Sequence, residues 1–268
     1  MGSADPGLAP ADLERRFGGL RRLYGDAGYA RLRAARIAVV GVGGVGSWAA
    51  EALARSGVAG LTLIDLDHVS ESNINRQVQA LGATLGAAKV DALAQRIADI
   101  HPGCVVTRRD AFVAPDNWPG LLVEPVDAVL DACDDLRAKL VLATWALADP
   151  RQRLVVCGAA GGKRKPQAID VADLAQATHD PLLAALRQRL RKQRVGGDDG
   201  AAASAGAGTR PFGIDCVYSR EPVQRPADEA GVDGSLNCHG YGSSVAVTAS
   251  FGMAAAQQVI ERLVAGPA

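Results

Sequence analysis

Short unbroken apolar runs alternate along the chain with longer stretches in which apolar residues recur every three or four positions. Arg36-Ile-Ala-Val-Val40, Leu61-Thr-Leu-Ile64, Val126-Asp-Ala-Val-Leu130 and Leu154-Val-Val-Cys157 are too short for helices. Their aliphatic and β-branched character predicts strands buried on both faces of a sheet. Cys104–Thr107 and Ile214–Tyr218 extend the set. Between them Trp48–Ser56 reads as a helix, and in Ala87–Ile100 the residues Val90, Leu93, Ile97 and Ile100 share one helical face. Strands alternating with helices predict an α/β fold, with a Rossmann-like mixed, largely parallel sheet flanked by helices.

The remaining pattern is less regular. Asp12 is placed to cap a short helix carrying Leu13, Phe17 and Leu20. Residues 173–194 read as a helical hairpin whose second arm, Leu182–Arg194, has Leu183, Leu186 and Leu190 as its apolar stripe. Residues 195–210 are too poor in apolar bulk to pack and read as a flexible crossover loop. Glu221–Asp233 is a polar, proline-bearing excursion. Ser243–Val264 is apolar, but Thr248, Gln257, Gln258 and Glu261 keep its unbroken run short of the roughly 20 residues a membrane span requires. It is expected to be a core helix. Residues 1–11 are expected to be a flexible leader, and 12–268 a single domain.

Composition narrows the class. A chain of 268 residues, 48% hydrophobic and with zero net charge, can bury one large core, or one core with an appended subdomain. Cys104, Cys133, Cys157, Cys216 and Cys238 are scattered without a C-x-x-C pair, and the N-terminus shows no secretory signal. This argues against a disulfide framework or a Cys₄ zinc site and for a reducing cytoplasm.

The candidate chemistry begins at Gly41-Val-Gly-Gly-Val-Gly-Ser47, between the first strand and its helix. Gly41, Gly43 and Gly46 permit a tight turn and close approach of backbone N–H groups to a phosphate at the helix N-terminus. The second strand ends in Asp65, the position of an acid that grips a ribose hydroxyl. On that rule alone the chain would bind NAD. The residues beyond Asp65 depart from that pattern: Asp67, then Asn73-Ile-Asn75-Arg76-Gln77, a polar cluster bearing an arginine. A triphosphate needs such donors and a cation beside them, whereas an NAD-dependent oxidoreductase would leave them idle. Asp131 and Asp134 follow the Val126–Leu130 strand at the crevice where open α/β sheets bind ligands, although an aspartate there is also a natural N-cap for the next helix. Lys163-Arg-Lys165 follows a glycine run, and Arg187, Arg189, Arg191, Lys192 and Arg194 concentrate positive charge in the predicted hairpin arm. With no interleaved aromatics, that arm reads as a phosphate-backbone footprint.

Gly41-x-Gly-Gly44-x-Gly46, Asp65-x-Asp67 and Asn73-x-Asn75-Arg76-Gln77 together resemble the adenylating domain of the ubiquitin-activating superfamily. Within it the chain looks most like the tRNA threonylcarbamoyladenosine dehydratase branch, from about Arg16 to the C-terminus. The resemblance implies ATP and Mg²⁺ as cofactors, Lys89 on the α-phosphate, Arg76 among the catalytic residues, and Asp134 on the metal side, with Asp131 as a second acid. It implies activation of a carboxylate as an acyl-adenylate, here that of a threonylcarbamoyl group in tRNA, which then closes into a ring. It also implies a homodimer in which an arginine reaches the neighbouring subunit's ATP. The matching position is Gly19, so Arg16 and Arg22 are the candidates. A sulfur-transfer protein is a further possible partner, and DNA is not expected. The alternative within the superfamily is activation of a ubiquitin-like sulfur carrier, but those enzymes bear the two C-x-x-C pairs missing here. A non-catalytic scaffold for a sulfur-relay partner also stays open. Cys238, in Asn237-Cys-His-Gly-Tyr, is either structural or the counterpart of a thioester cysteine.

Overall fold

The structure, a computed structural model, describes residues 11–196, 210–224 and 241–266. The chain runs α1 (Leu13–Phe17), α2 (Gly19–Ala34), β1 (Arg36–Val40), α3 (Gly46–Arg55), β2 (Gly60–Ile64), α4 (Lys89–Ile100), β3 (Val105–Arg109) and β4 (Ala128–Asp131). It continues through α5 (Leu136–Ala148), β5 (Leu154–Cys157), β6 (Ile169–Asp173), α6 (Pro181–Gly196), β7 (Asp215–Ser219) and α7 (Val245–Val264). The seven strands are ordered β3-β2-β1-β4-β5-β7-β6. All neighbours are parallel except β6, which runs antiparallel to β7.

The period-2 geometry of the central strands sorts their side chains between two cores. Ile37 and Val39 of β1, Leu130 of β4 and Val155 of β5 pack with α2, α3, α4 and α7. Ala38, Val40, Val129 and Val156 pack on the other face against α5 and α6. This is why these strands read as unbroken apolar runs. Helix α7 lies in the first core through Val247, Phe251, Ala255 and Val259. It approaches α3 so closely that a Cβ on Gly252 would stand 2.5 Å from the Val45 carbonyl oxygen. Among the described residues no helix is long and apolar enough to cross a membrane.

The expected hairpin at 173–194 is not formed. Residues 169–173 are an edge strand with its backbone paired to β7, and a single helix follows. Asp180 starts that helix by accepting the Leu183 N–H (2.9 Å), with Pro181 at its first position. Proline there blocks a helix from running through from 173.

At the N-terminus Asp12 caps α1 by accepting the Arg15 N–H (3.0 Å). The Phe17 ring packs on His101 with centroids 4.6 Å apart, and Arg33 lies over Phe17. His101 is buried, and burial, with the Arg33 charge adding to it, pushes its pKa down. The unfolded chain therefore takes up this proton near pH 6.5, while the folded chain resists it to lower pH. Its contribution to stability is complete above that pH and declines as the pH falls through the window. The urea midpoint should drop between pH 7.5 and 5.5, and His101→Gln should reduce that drop. Equal drops in the two proteins would exclude His101 as the cause.

Candidate active site

The carboxyl ends of β1 to β5 open onto a cleft of about 430 Å³, at the point where the strand order reverses between β1 and β4. The glycine turn after β1 is shaped by contact. Gly41 has φ +80°, and a Cβ there would come within 2.8 Å of the Cys133 nitrogen, while one on Gly46 would overlap the Gly41 carbonyl oxygen. Gly41, Gly43 and Gly44 line the cleft, and Gly46 lies behind them as the packing glycine.

Asp65, at the end of β2, holds that turn in place. Its Oδ2 accepts the Val42 N–H (2.8 Å) and its Oδ1 the Asp67 N–H (2.9 Å). Burial raises its pKa, against the opposing pull of Lys89 and the two amides. Asp67 pairs with Lys89 Nζ at 2.7 Å; the lysine side chain is 8% exposed and the aspartate 56%. This carboxylate compensates a cation that the α4 dipole would otherwise disfavour in its first turn. The same wall carries the buried Asn73 and Gln77 together with Arg76. Asn73 accepts the Ser70 N–H (3.1 Å) and so closes the turn that presents Arg76. Among the described residues the Arg76 side chain donates only to its own loop, to the Ser72 carbonyl (2.7 Å) and Asn75 Oδ1 (2.9 Å). Asn75 itself points away, donating to the Ser243 carbonyl ahead of α7.

The opposite wall separates the three aspartates after β4. Asp135 is the N-cap of α5, accepting the Arg137 N–H (2.8 Å). Asp134 lines the cleft, exposed and without a hydrogen bond or ion pair to any described residue. Asp131, expected as a second acid for the nucleotide, is instead fully buried and paired with Lys139 (3.1 Å), outside the cleft lining. Among the described residues no three His, Cys, Asp or Glu side chains are grouped to hold a metal ion.

Several basic residues also fall elsewhere than expected. Arg16 donates to the Asp99 and Ile100 carbonyls at the C-terminus of α4, the far end of that helix from Lys89. Arg22 is exposed. Lys163 is buried, donating to the His179 and Glu221 carbonyls, and burial lowers its pKa. Arg164 and Lys165 are exposed, their N–H groups held by Glu221. On α6, Arg187 donates to the Leu174 and Ala177 carbonyls, Arg191 is half-buried and engaged, and Arg189 and Lys192 are exposed. The Arg194 side chain, most of the 195–210 stretch and Cys238 lie outside the described residues.

The glycine run after β5, which the sequence places where the chain leaves the sheet beside the crevice, lines the cleft through Gly158–Gly161. Sequence patterns missed another part of the lining, Ala111–Val113 after β3, with Phe112 59% exposed; the rule that ligands bind at the carboxyl ends of strands, applied to β3 as it was to β1 and β4, points to it.

A doubly wound sheet with a glycine turn at its switch point, flanked by Arg76 and Lys89 on one wall and a free carboxylate on the other, defines a nucleotide-binding α/β protein equipped for a polyphosphate. The chain belongs to the ThiF family, whose model matches residues 17–266. It is 40% identical over 255 residues to the tRNA threonylcarbamoyladenosine dehydratase of Haemophilus influenzae, covering 94% of each chain. Among solved structures it resembles the Escherichia coli tRNA N6-threonylcarbamoyladenosine dehydratase in complex with ATP, with a TM-score of 0.81 at 39% identity, covering 96% of this chain and 98% of the other. The complex of the same enzyme with AMP matches with a TM-score of 0.80 at 38% identity, covering 97% and 98%.

Proposed function

We propose that this protein catalyses the ATP-dependent dehydration of threonylcarbamoyladenosine in tRNA. The observation that carries the reading is the junction of two walls in one cleft: a phosphate-binding wall of glycine turn, Arg76 and Lys89, and a facing wall offering Asp134. End-to-end similarity to dehydratases of known name supports the same substrate.

In this reading the glycine-turn amides, Arg76 and Lys89 hold the triphosphate with the α-phosphorus facing the second wall. The threonyl carboxylate attacks that phosphorus and pyrophosphate departs, leaving an acyl-adenylate. The carbamoyl group of the same side chain then closes on the activated carbonyl and expels AMP. Asp134 fits a Mg²⁺ ion, which binds through one or two carboxylates plus substrate phosphates and would offset charge on the departing pyrophosphate. A homodimer in which Arg22 reaches the neighbouring nucleotide is part of the proposal, as is docking of a sulfur-transfer protein.

Incubating tRNA that carries the open threonylcarbamoyl form with the protein, ATP and Mg²⁺ should lower the nucleoside mass by one water. An unchanged nucleoside, with ATP–pyrophosphate exchange seen only on adding a ubiquitin-like sulfur carrier, would replace this reading with the alternative.

The tRNA substrate requires a path for its backbone, and the exposed Arg189 and Lys192 supply cations further along α6, the helix whose Leu182 lines the cleft. Affinity for tRNA should fall steeply with salt, and neutralising both should flatten the log–log slope by roughly 2 units. An unchanged slope would leave α6 an ordinary solvated face.

A further inference from the structure

Beneath the second wall of the cleft lies a charged pair that no nucleotide contact uses. Asp131 ends β4 and Lys139 stands in the first turn of α5, both fully buried. Lys139 Nζ lies 3.1 Å from Asp131 Oδ1 and donates to the Cys157 carbonyl at the end of β5 (2.8 Å). The same Oδ1 accepts the Cys133 N–H (3.1 Å) and thiol (2.9 Å), whereas Oδ2 has no partner among the described residues. Burial works against the ammonium, but Asp131 beside it, together with the neighbouring Cys133 and Cys157, outweighs that effect and keeps it charged. Asp180 feels the same charge. Its Oδ2 accepts the Ala159 N–H (2.8 Å), in space that a Cβ on Gly158 would require. One ammonium thus ties together the loops that carry Asp134 and Gly158–Gly161.

Stability does not call for such a pair, because well-packed apolar residues of similar volume usually serve as well or better in a buried position. What a buried pair supplies and an apolar contact does not is a fixed distance and direction. We propose that Lys139 is a positioning residue for carboxylate activation: by clamping the ends of β4 and β5 through Asp131 and the Cys157 carbonyl, it sets where the second wall stands relative to the phosphates. The inference rests on the adenylating reading of the cleft. Because the phosphate contacts lie on the opposite wall, the clamp acts on kcat and leaves the KM for ATP unchanged.

The test compares wild type with the double variant Lys139→Met/Asp131→Leu. Lys139→Met alone strands a buried carboxylate and Asp131→Asn a buried ammonium, so both are expected to melt early and serve only as stability controls. The double variant should melt near wild type, keep its KM for ATP and lose at least about tenfold in kcat for water loss. Wild-type kcat in the double variant overturns the clamp, and so does a raised KM for ATP at unchanged kcat. Amide exchange at Ala132–Asp135 and Gly158–Gly161 should accelerate together in the double variant. Unchanged exchange overturns the clamp whatever the reaction is. Absence of water loss in wild type instead sinks the assigned reaction, which keeps the two failures apart.

Discussion

Arg76→Ala and Lys89→Ala should each reduce turnover by at least about tenfold, since a charge-assisted contact contributes roughly 1.5–3 kcal/mol, while the melting curve stays near that of wild type. Among the described residues the Arg76 side chain donates only to its own turn, so truncating it leaves no buried group stranded. Lys89 is more enclosed, but its partner Asp67 is 56% exposed and returns to water when the ammonium is removed. Thermal melts with and without ATP check the assignment. If ATP raises the melting temperature as much in both variants as in wild type, these two cations do not hold the nucleotide.

Asp134→Asn should block the water loss while leaving the fold intact. The side chain has no partner among the described residues whose loss could unfold anything, and in the proposed reaction it would support Mg²⁺ beside the leaving pyrophosphate. Its neighbour provides the contrast. Asp135 also borders the cleft, but its side chain is occupied as the cap of α5, so Asp135→Asn should leave stability near wild type and Asp135→Ala should cost about 1 kcal/mol, each with little effect on rate. Measured across a Mg²⁺ titration, Asp134→Asn should need far more metal or fail at any concentration. Wild-type turnover at low Mg²⁺ would remove Asp134 from the mechanism.

The strands of the central sheet were legible because burial on both faces leaves a strong mark: β1, β2, β4 and β5 are written almost wholly in aliphatic residues. The glycine turn was legible for a related reason, since Gly41 and Gly46 stand where any Cβ collides. Edge strand β6 left a weaker mark. Ile169-Asp-Val-Ala-Asp173 pairs on one side only, and the sequence singles out no strand there; its last residue, Asp173, reads as the start of the helical hairpin that the leucines and arginines after it suggest. Charge was the least legible property. Lys163 stands in the basic triplet that follows the glycine run, but the carbonyls of His179 and Glu221, far off in sequence, enclose it. Asp131 looked like a ligand at a strand end until the fold placed Lys139 against it. Arg16 looked free to reach a partner, yet the open carbonyls at the end of α4 take it up. In each case the partner, not the residue, decides the role, and partners distant along the chain leave no local pattern.

The reversed direction of β6 also bears on how substrates come and go. Because β6 runs against the rest of the sheet, the chain leaving β5 at the cleft crosses its rim once, from Gly158 to Ala168, and descends directly into the sheet again. Lys163 and Glu221 pin that crossing midway. Anchored at both ends and in the centre, this rim is a fixed doorpost. Across the cleft stands the long connection between β2 and α4, which bears Arg76 and carries Leu66, Ile74, Leu81 and Leu85 on its outside.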